Sequence, residues 1–340
     1  MGYIDSKEQQ SVKNIFHKGE ILFGKLRPYL KKYWMADFDG VCSTEFWVLN
    51  GKKVTNDYLF QLIQTNKFNQ IANISSGSKM PRADWKYMSE IPFDIPPLKE
   101  QEKIAQILTT WDKAISKQKE LIKAKEKLKK GLMQRLLSAE VRFREFSDEW
   151  EEVKLWDVGR IIGGGTPKTT NVEYWGNEIL WFTPTEIKNK YIFDSKRKIS
   201  KLGLKKSSAR LLPKNTLLLT TRATIGDIGI SQKECTTNQG FQSIIVNDKN
   251  YYEYLYYWLL KNKKELLKRA NGSTFIEISK KDIEKIPFKK PPLQEQQKIA
   301  EVLSMADKEI ELLKKELEEL KKQKKGLMQR LLTADVRVKV

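Results

Sequence analysis

The chain repeats itself at a separation of 195 residues, and this limits its possible folds more than any other feature. Ile91-Pro92-Phe93 and Pro96-Pro97-Leu98-Lys99-Glu100-Gln101-Glu102-Lys103-Ile104-Ala105 return as Ile286-Pro287-Phe288 and Pro291-Pro292-Leu293-Gln294-Glu295-Gln296-Gln297-Lys298-Ile299-Ala300. Each stretch opens a long charged segment that closes on the same nonapeptide, residues 129–137 in the first copy and 324–332 in the second. Fainter matches lie upstream, pairing Arg27 with Arg222, Phe46 with Phe241, and Gly77-Ser78 with Gly272-Ser273. Solenoid units run to about 20–50 residues. A period this long instead indicates a duplicated unit, a domain followed by a helix.

The helices are legible from spacing. Ile299, Leu303, Ala306, Ile310, Leu313, Leu317, Leu320, Leu327 and Leu331 alternate at steps of four and three, with Lys324 the polar position in the stripe. That is a coiled-coil seam. The first copy keeps Ile104, Leu108, Trp111, Ile115, Ile122, Leu132 and Leu136, interrupted by Gln118 and Lys125. Pro97 and Pro292 stand just before each helix start, where proline is tolerated. A stripe this long left in water would be an exposed apolar patch. The two helices are therefore expected to pair about a pseudo-two-fold axis, antiparallel, each about 55 Å long at 1.5 Å per residue.

The globular parts read as α/β. Residues 216–221 and 242–246 are rich in β-branched and apolar residues and predict strands, and 251–270 predicts a helix. In the first copy the matching pieces are strands over 20–25 and 45–49 and a helix over 57–74. The 340 residues suffice for two domains with cores. A formal net charge of +20 points to a polyanionic partner, with nucleic acid the first candidate and a merely lysine-rich composition the alternative. Cys42 and Cys235 stand alone, which argues against zinc and suits a reducing compartment. No apolar run reaches the roughly 20 residues of a membrane span.

Enzyme constellations are missing. His17 is the single histidine, so histidine-based nuclease and triad chemistry is out of reach. Gly163-Gly164-Gly165-Thr166-Pro167-Lys168-Thr169-Thr170 lacks the phosphate-loop spacing, and its proline removes a backbone donor. Asp94-Ile95-Pro96-Pro97 departs from the Asp-Pro-Pro-Tyr loop of amino-group methyltransferases, and Glu186-Ile187-Lys188 is a triplet that chance supplies in a chain rich in Glu and Lys.

Two globular units, each followed by Pro-Pro-Leu-x-Glu-Gln-x-Lys-Ile-Ala and a long helix, resemble the specificity subunits of type I restriction-modification systems. The second unit opens as their target-recognition domains do, with Phe146-Ser147-Asp148-Glu149-Trp150-Glu151, then Gly164-Gly165-Thr166-Pro167, then Trp175-Gly176 and Ile179-Leu180-Trp181. The first unit has the matching element Gly24-Lys25-Leu26-Arg27-Pro28-Tyr29. The resemblance implies a first target-recognition domain over 1–95, a central helix region over 96–143, a second recognition domain over 144–290 and a C-terminal helix region over 291–340. It implies that each domain reads half of a split site in double-stranded DNA, and that the helices act as a ruler for the unread spacer. Two methyltransferase subunits would dock on the helices, and restriction-translocase subunits would join them. The chain itself would be non-catalytic and cytoplasmic, with no cofactor or metal of its own. S-adenosylmethionine, ATP and magnesium would be held by partners. Competing readings are a structural coiled-coil protein and an independent repressor.

One departure bears on the first domain. Gly2-Tyr3-Ile4-Asp5-Ser6 matches Tyr191-Ile192-Phe193-Asp194-Ser195, so the first unit lacks a counterpart of residues 151–190. The first recognition domain is thus expected to be N-terminally truncated, through a misplaced start, a natural truncation or a shortened chain. An unpaired sheet edge there would invite self-association. Donors and acceptors on loops, with Lys and Arg for phosphates, give the DNA-contacting candidates. In the first unit these are Lys25, Arg27, Tyr29, Lys31, Lys32, Ser43, Thr44, Ser78, Lys79 and Arg82. In the second they are Lys168, Thr169, Thr170, Asn171, Lys188, Asn189, Lys190, Arg222, Asn238, Gln239, Ser273 and Thr274. Arg27 and Arg222 stand out because both copies place arginine directly after a strand, while Ser78 and Ser273 have helix capping as their alternative role.

Overall fold

The computed structural model describes residues 12–74, 80–222, 224–270 and 276–339. The chain divides into two compact units, one formed by Met1–Lys123 with Leu312–Val340 and the other by Ala124–Glu311. Both divisions fall inside the long helices. Each unit therefore holds the front of one helix and the back of the other.

In unit 1, β1 (Lys13–Phe16), β2 (Ile21–Gly24), β3 (Tyr33–Met35), β4 (Gly40–Ser43) and β5 (Phe46–Leu49) are short. β2 is the middle strand of an antiparallel sheet ordered β3-β2-β5, and all four of its residues are buried. β1 and β4 form a separate antiparallel pair. The helix expected over 57–74 is two helices, α1 (Asn56–Leu62) and α2 (Asn66–Ala72). Thr65 causes the break. Its hydroxyl accepts from the Phe68 amide and starts α2 afresh, as threonine does at an N-cap. α3 (Trp85–Ser89) follows, capped by Asp84, and α4 (Leu98–Leu136) begins directly after Pro96-Pro97.

Unit 2 is larger. It contains β6 (Glu151–Lys154), α5 (Leu155–Val158), β7 (Gly159–Gly163), β8 (Trp175–Gly176), β9 (Ile179–Phe182), β10 (Tyr191–Ile192) and β11 (Arg197–Ile199). Next come α6 (Lys201–Lys205), β12 (Leu217–Thr220), β13 (Ile228–Ser231), β14 (Cys235–Thr237), β15 (Phe241–Val246), α7 (Tyr252–Lys261) and α8 (Lys263–Lys268). α9 (Lys280–Glu284), β16 (Pro287–Lys290) and α10 (Leu293–Leu332) complete the chain. The strands form sheets ordered β10-β13-β12-β15-β7 and β14-β9-β11-β8, with β16-β6 as a ribbon leading into α10. β12 shows the period-two logic of a central strand. Leu217 and Leu219 face a core with Tyr254, Leu255 and Tyr257 of α7 and Ile299 and Leu303 of α10. Leu218 faces the opposite way, into a core shared with Phe182, Cys235 and Phe241. The helix expected over 251–270 is likewise two, α7 and α8, meeting at Asn262.

The helices run antiparallel within each unit, and the seam is as the spacing predicts. In unit 1, Ile104 and Leu108 pack with Leu331 and Leu332, and Ile115 and Ile122 pack with Leu317. The polar interruptions are satisfied across the seam. The Gln118 amide donates to the Leu313 carbonyl at 3.2 Å and to Glu316 Oε2 at 2.9 Å. Lys324 Nζ reaches Asp112 Oδ1 at 2.6 Å, and Lys125 Nζ reaches Glu309 Oε1 at 2.6 Å.

The duplication extends to individual contacts. Asp112 pairs with Lys324 in unit 1, and their counterparts Asp307 and Lys129 pair in unit 2. Arg337 grips Glu100 with two donors at 2.7 and 2.6 Å, and Arg142 grips Glu295 at 2.9 and 2.8 Å. Gln101 and Gln296 each accept from a backbone amide, of Thr55 and Tyr251, and each donates back to the carbonyl of Pro96 or Pro291. Leu108 and Leu303 are equivalent positions, both fully buried, one in each unit. Leu108→Ala and Leu303→Ala should each destabilise by about 2–5 kcal/mol, the cost of an unfilled core cavity. Urea unfolding of the full chain checks this, and equal losses from both variants are expected.

Candidate nucleic-acid interface

In unit 2 several loops are tied together at one edge of the sheets by backbone bonds. The Gly165 amide donates to the Thr237 carbonyl at 2.8 Å, and the Asn238 amide to the Phe182 carbonyl at 3.0 Å. The Thr221 amide donates to the Gly240 carbonyl at 2.8 Å, and the Ile278 amide to the Thr221 carbonyl at 3.3 Å. The Thr166 hydroxyl donates to Gln239 Oε1 at 2.6 Å. This brings together the loops that carry Lys168, Thr169, Thr170, Asn171, Asn238, Gln239 and Arg222. The glycines make the crossing possible. A Cβ on Gly164 would stand 2.0 Å from the Asn238 carbonyl oxygen, and one on Gly165 would stand 2.4 Å from the Ala209 amide nitrogen. Close backbone approach, not a phosphate cradle, is thus what this glycine run provides.

The candidates differ in how free they are. Lys168, Thr169, Thr170, Lys188, Asn189 and Gln239 are exposed. Asn171 caps the turn after it by accepting from the Glu173 amide at 3.0 Å, and the Asn238 side chain accepts from the Gly240 amide at 2.9 Å. Arg222 Nε lies 2.9 Å from Glu277 Oε2, both still partly open to water. Ser78, Lys79, Ser273 and Thr274 lie outside the described residues.

Lys190, expected from the sequence to contact DNA, is instead enclosed by protein groups. Its side chain is 12% exposed, and its ammonium is enclosed by Glu253 Oε2 at 2.7 Å, Ser304 Oγ at 2.7 Å and the Tyr257 hydroxyl at 3.0 Å. The Tyr257 hydroxyl in turn donates to Asp307 Oδ2 at 2.6 Å. Burial lowers the Lys190 pKa, with Glu253 acting against that trend. Burial raises Glu253, but hydrogen bonds from Lys190, Ser304 and Tyr191 outweigh it and leave the carboxyl below its ordinary value. A cation so enclosed is a strut between α7 and α10 within unit 2, with no donor left for a phosphate. Lys188, two residues earlier, remains exposed.

Unit 1 shows the same construction on a smaller scale. The Lys25 amide donates to the Glu45 carbonyl, the Arg27 amide to the Pro81 carbonyl and the Ala83 amide to the Lys25 carbonyl. Lys25, Arg27, Tyr29, Lys31, Lys32, Ser43, Thr44 and Arg82 thus share one loop cluster. Arg27 and Lys31 flank a short turn with φ of 52° and 50°, a conformation disfavoured for side chains of this kind. Arg82 is held bidentately by Glu45, with Nη2 at 2.9 Å. The two arginines aligned by the repeat are therefore not equivalent. Arg222 is ion-paired, whereas Arg27 is exposed and its guanidinium meets no carboxylate among the described residues.

One arginine–aromatic cluster has no signature in the sequence. Arg197 on β11 lies over the Trp175 ring at 3.5 Å from its centroid and 5.4 Å from that of Trp181. The run Lys196-Arg197-Lys198 looks like plain surface charge, and only strand pairing shows that its middle residue meets two indoles. Elsewhere, both cysteines are free, and burial pushes Cys235 up to about 12, which makes it an unreactive core thiol. Among the described residues no group of three His, Cys, Asp or Glu side chains is placed to hold a metal, and no helix is long and apolar enough to cross a membrane.

Two substitutions separate support from contact. Lys190→Ala should destabilise unit 2 by about 3–5 kcal/mol, because it strands a buried carboxylate, while leaving the salt dependence of DNA affinity unchanged. Thermal melts and binding at two salt concentrations measure both. Gly164→Ala should cost about 1–3 kcal/mol through the clash with the loop beneath it, and DNA affinity should fall with it.

A family model described as type I restriction modification DNA specificity domain matches residues 2–126 and 147–322. The chain belongs to that family, whose members recognise DNA sequence for restriction-modification. Among its relatives is the specificity subunit of the type I restriction enzyme MjaIX of Methanocaldococcus jannaschii, 44% identical over 168 residues that make up 48% of this chain and 39% of that protein. Another is the MjaVIII specificity subunit of the same organism, 29% identical over 94% of this chain and 77% of that protein. The HsdS subunit from Thermoanaerobacter tengcongensis has a similar fold, with a TM-score of 0.54, 24% identity, and coverage of 98% of this chain and 85% of that one.

Proposed function

We propose that this chain is the DNA-reading subunit of a type I restriction-modification complex and performs no chemistry itself. The observation that carries the reading is the duplication of whole contacts, Glu100–Arg337 with Glu295–Arg142 and Asp112–Lys324 with Asp307–Lys129. Two recognition segments built on equivalent frames suit a bipartite site in double-stranded DNA, one half-site for each. In this reading residues 1–95 and 144–290 recognise DNA, and residues 96–143 and 291–340 set the spacer and dock two methyltransferase subunits. S-adenosylmethionine, ATP and magnesium belong to those subunits and to the restriction-translocase subunits that join them. The exposed Lys168, Lys188 and Arg27 and the half-buried Lys25 serve as phosphate or base contacts, and Arg222 contacts DNA while exchanging or keeping Glu277.

Among the described residues, unit 1 carries sheets of three and two strands, against five, four and two in unit 2. Unit 2 is accordingly the stricter reader, and unit 1 discriminates over fewer positions. The test is to combine the full chain with its methyltransferase subunit and sequence the methylated positions. A bipartite motif with one better-defined half supports the reading. Methylation without sequence preference, or no complex at all, overturns it. Inserting four residues between Lys119 and Lys125 and four between Lys314 and Leu320 lengthens each helix by about 6 Å. The unread spacer should grow by one or two base pairs, since DNA rises about 3.4 Å for each.

A further inference from the structure

The DNA-reading role proposed above leaves one well-built element of unit 2 without a part. We infer that Arg197 is a specificity-determining residue, a guanidinium seated over the Trp175 ring so that its free N–H groups read a base in the half-site of unit 2. The stack is close, 3.5 Å from the guanidinium carbon to the ring centroid. It is also anchored from below. Trp175 and Trp181 meet edge to face at 5.0 Å and 90°. Trp181 Nε1 donates to the Gly165 carbonyl at 2.9 Å, and Trp175 Nε1 to the Lys168 carbonyl at 3.4 Å. The aromatic platform is thereby fixed to the same loop that carries Lys168, Thr169 and Thr170. Ser195 locks the strand, accepting from the Trp181 amide at 3.1 Å and donating to the Arg197 carbonyl at 2.7 Å.

Arg82 and Arg222 have their donors engaged by Glu45 and Glu277, and Arg27, though without a carboxylate partner, has no aromatic ring beneath it among the described residues. Arg197 is exposed, and among the described residues its guanidinium has no hydrogen bond or ion pair. A purely structural arginine would direct its donors to protein acceptors. Stacking uses the π face and leaves the in-plane N–H fork available. It also fixes the plane before binding, so less freedom is lost when a planar acceptor arrives. A phosphate needs no such orientation, and flexible lysines such as Lys196 already supply that charge. The acceptor that fits a fixed fork is the O6 and N7 edge of guanine in the major groove, the commonest partner of arginine in base readout.

The test selects sequences from a random duplex library with the purified full chain, then with Arg197→Lys, Arg197→Gln and Arg197→Ala, each checked for folding by its melt. Wild type should enrich a motif containing a guanine that all three variants no longer require, with discrimination at that position falling about 5- to 150-fold. Arg197→Lys keeps the charge and should keep the salt slope while losing the guanine. If all sequences weaken alike and the salt slope drops by about one, Arg197 contacts a phosphate and the inference is overturned. An unchanged motif and affinity in a folded variant also overturns it. Should Arg197→Ala fail to fold, the Lys and Gln variants decide. A wild-type chain that enriches no motif at all refutes the DNA-reading role itself, a result distinct from a wild-type motif that survives loss of Arg197.

Discussion

Two carboxylates hidden from water set the terms for the rest of the molecule. Glu100 and Glu295 sit at the first turns of α4 and α10, almost wholly buried. A negative charge is tolerated there only with matched donors, because burial without them is costly. Each carboxylate receives a two-pronged guanidinium, the strongest and most directional partner available. In both cases that arginine comes from the other copy of the repeat, Arg337 for Glu100 and Arg142 for Glu295. Trp150 Nε1 adds a third donor to Glu295 at 3.0 Å. Each helix start therefore takes its arginine from the other copy, and the exchange couples the two copies of the repeat.

The seam between the helices follows from the same exchange. Hydrophobic side chains at steps of four and three would tolerate several alignments of two antiparallel helices, since one leucine resembles the next. Polar residues at fixed levels remove that freedom. Lys324 with Asp112, Gln118 with Glu316, and Lys125 with Glu309 are each satisfied in one alignment only. Single polar seam positions weaken the apolar stripe slightly and in return define which turn faces which. Rigid frames of this kind let loops at their edges vary in sequence while staying fixed in place.

Much of this frame is legible in the amino-acid sequence. Helix length, proline at the start, the heptad stripe and the duplicated nonapeptide are local signals, and each survives in the structure because it needs no knowledge of distant residues. Helix interruptions were not legible in the same way. Residues 57–74 and 251–270 keep apolar spacing throughout, so spacing does not reveal the restart that the Thr65 hydroxyl caps or the break at Asn262, whose side-chain amide donates back to the Trp258 carbonyl. The interface was harder still. Lys188 and Lys190 are alike in sequence, yet one is exposed and the other is sealed beneath α7 by Glu253, Tyr257 and Ser304. Arg197 hides between two lysines, and Trp175 is 22 residues earlier. Only the pairing of β8, β9 and β11 joins them.

The exchange also has a consequence for how the molecule is made. Unit 2 is a single stretch, Ala124–Glu311, so all of its parts exist in the chain once residue 311 is added. Unit 1 has one part, up to Lys123, synthesised before unit 2 but needs Leu312–Val340 to finish. Glu100 waits for Arg337 across 237 residues of sequence. At elongation speeds of about 5–20 residues per second, that is a delay on the order of ten seconds or more. During this interval Ile104 and Leu108 have no Leu331 to cover them. The unit that starts before the other in the chain is thus the one completed after it.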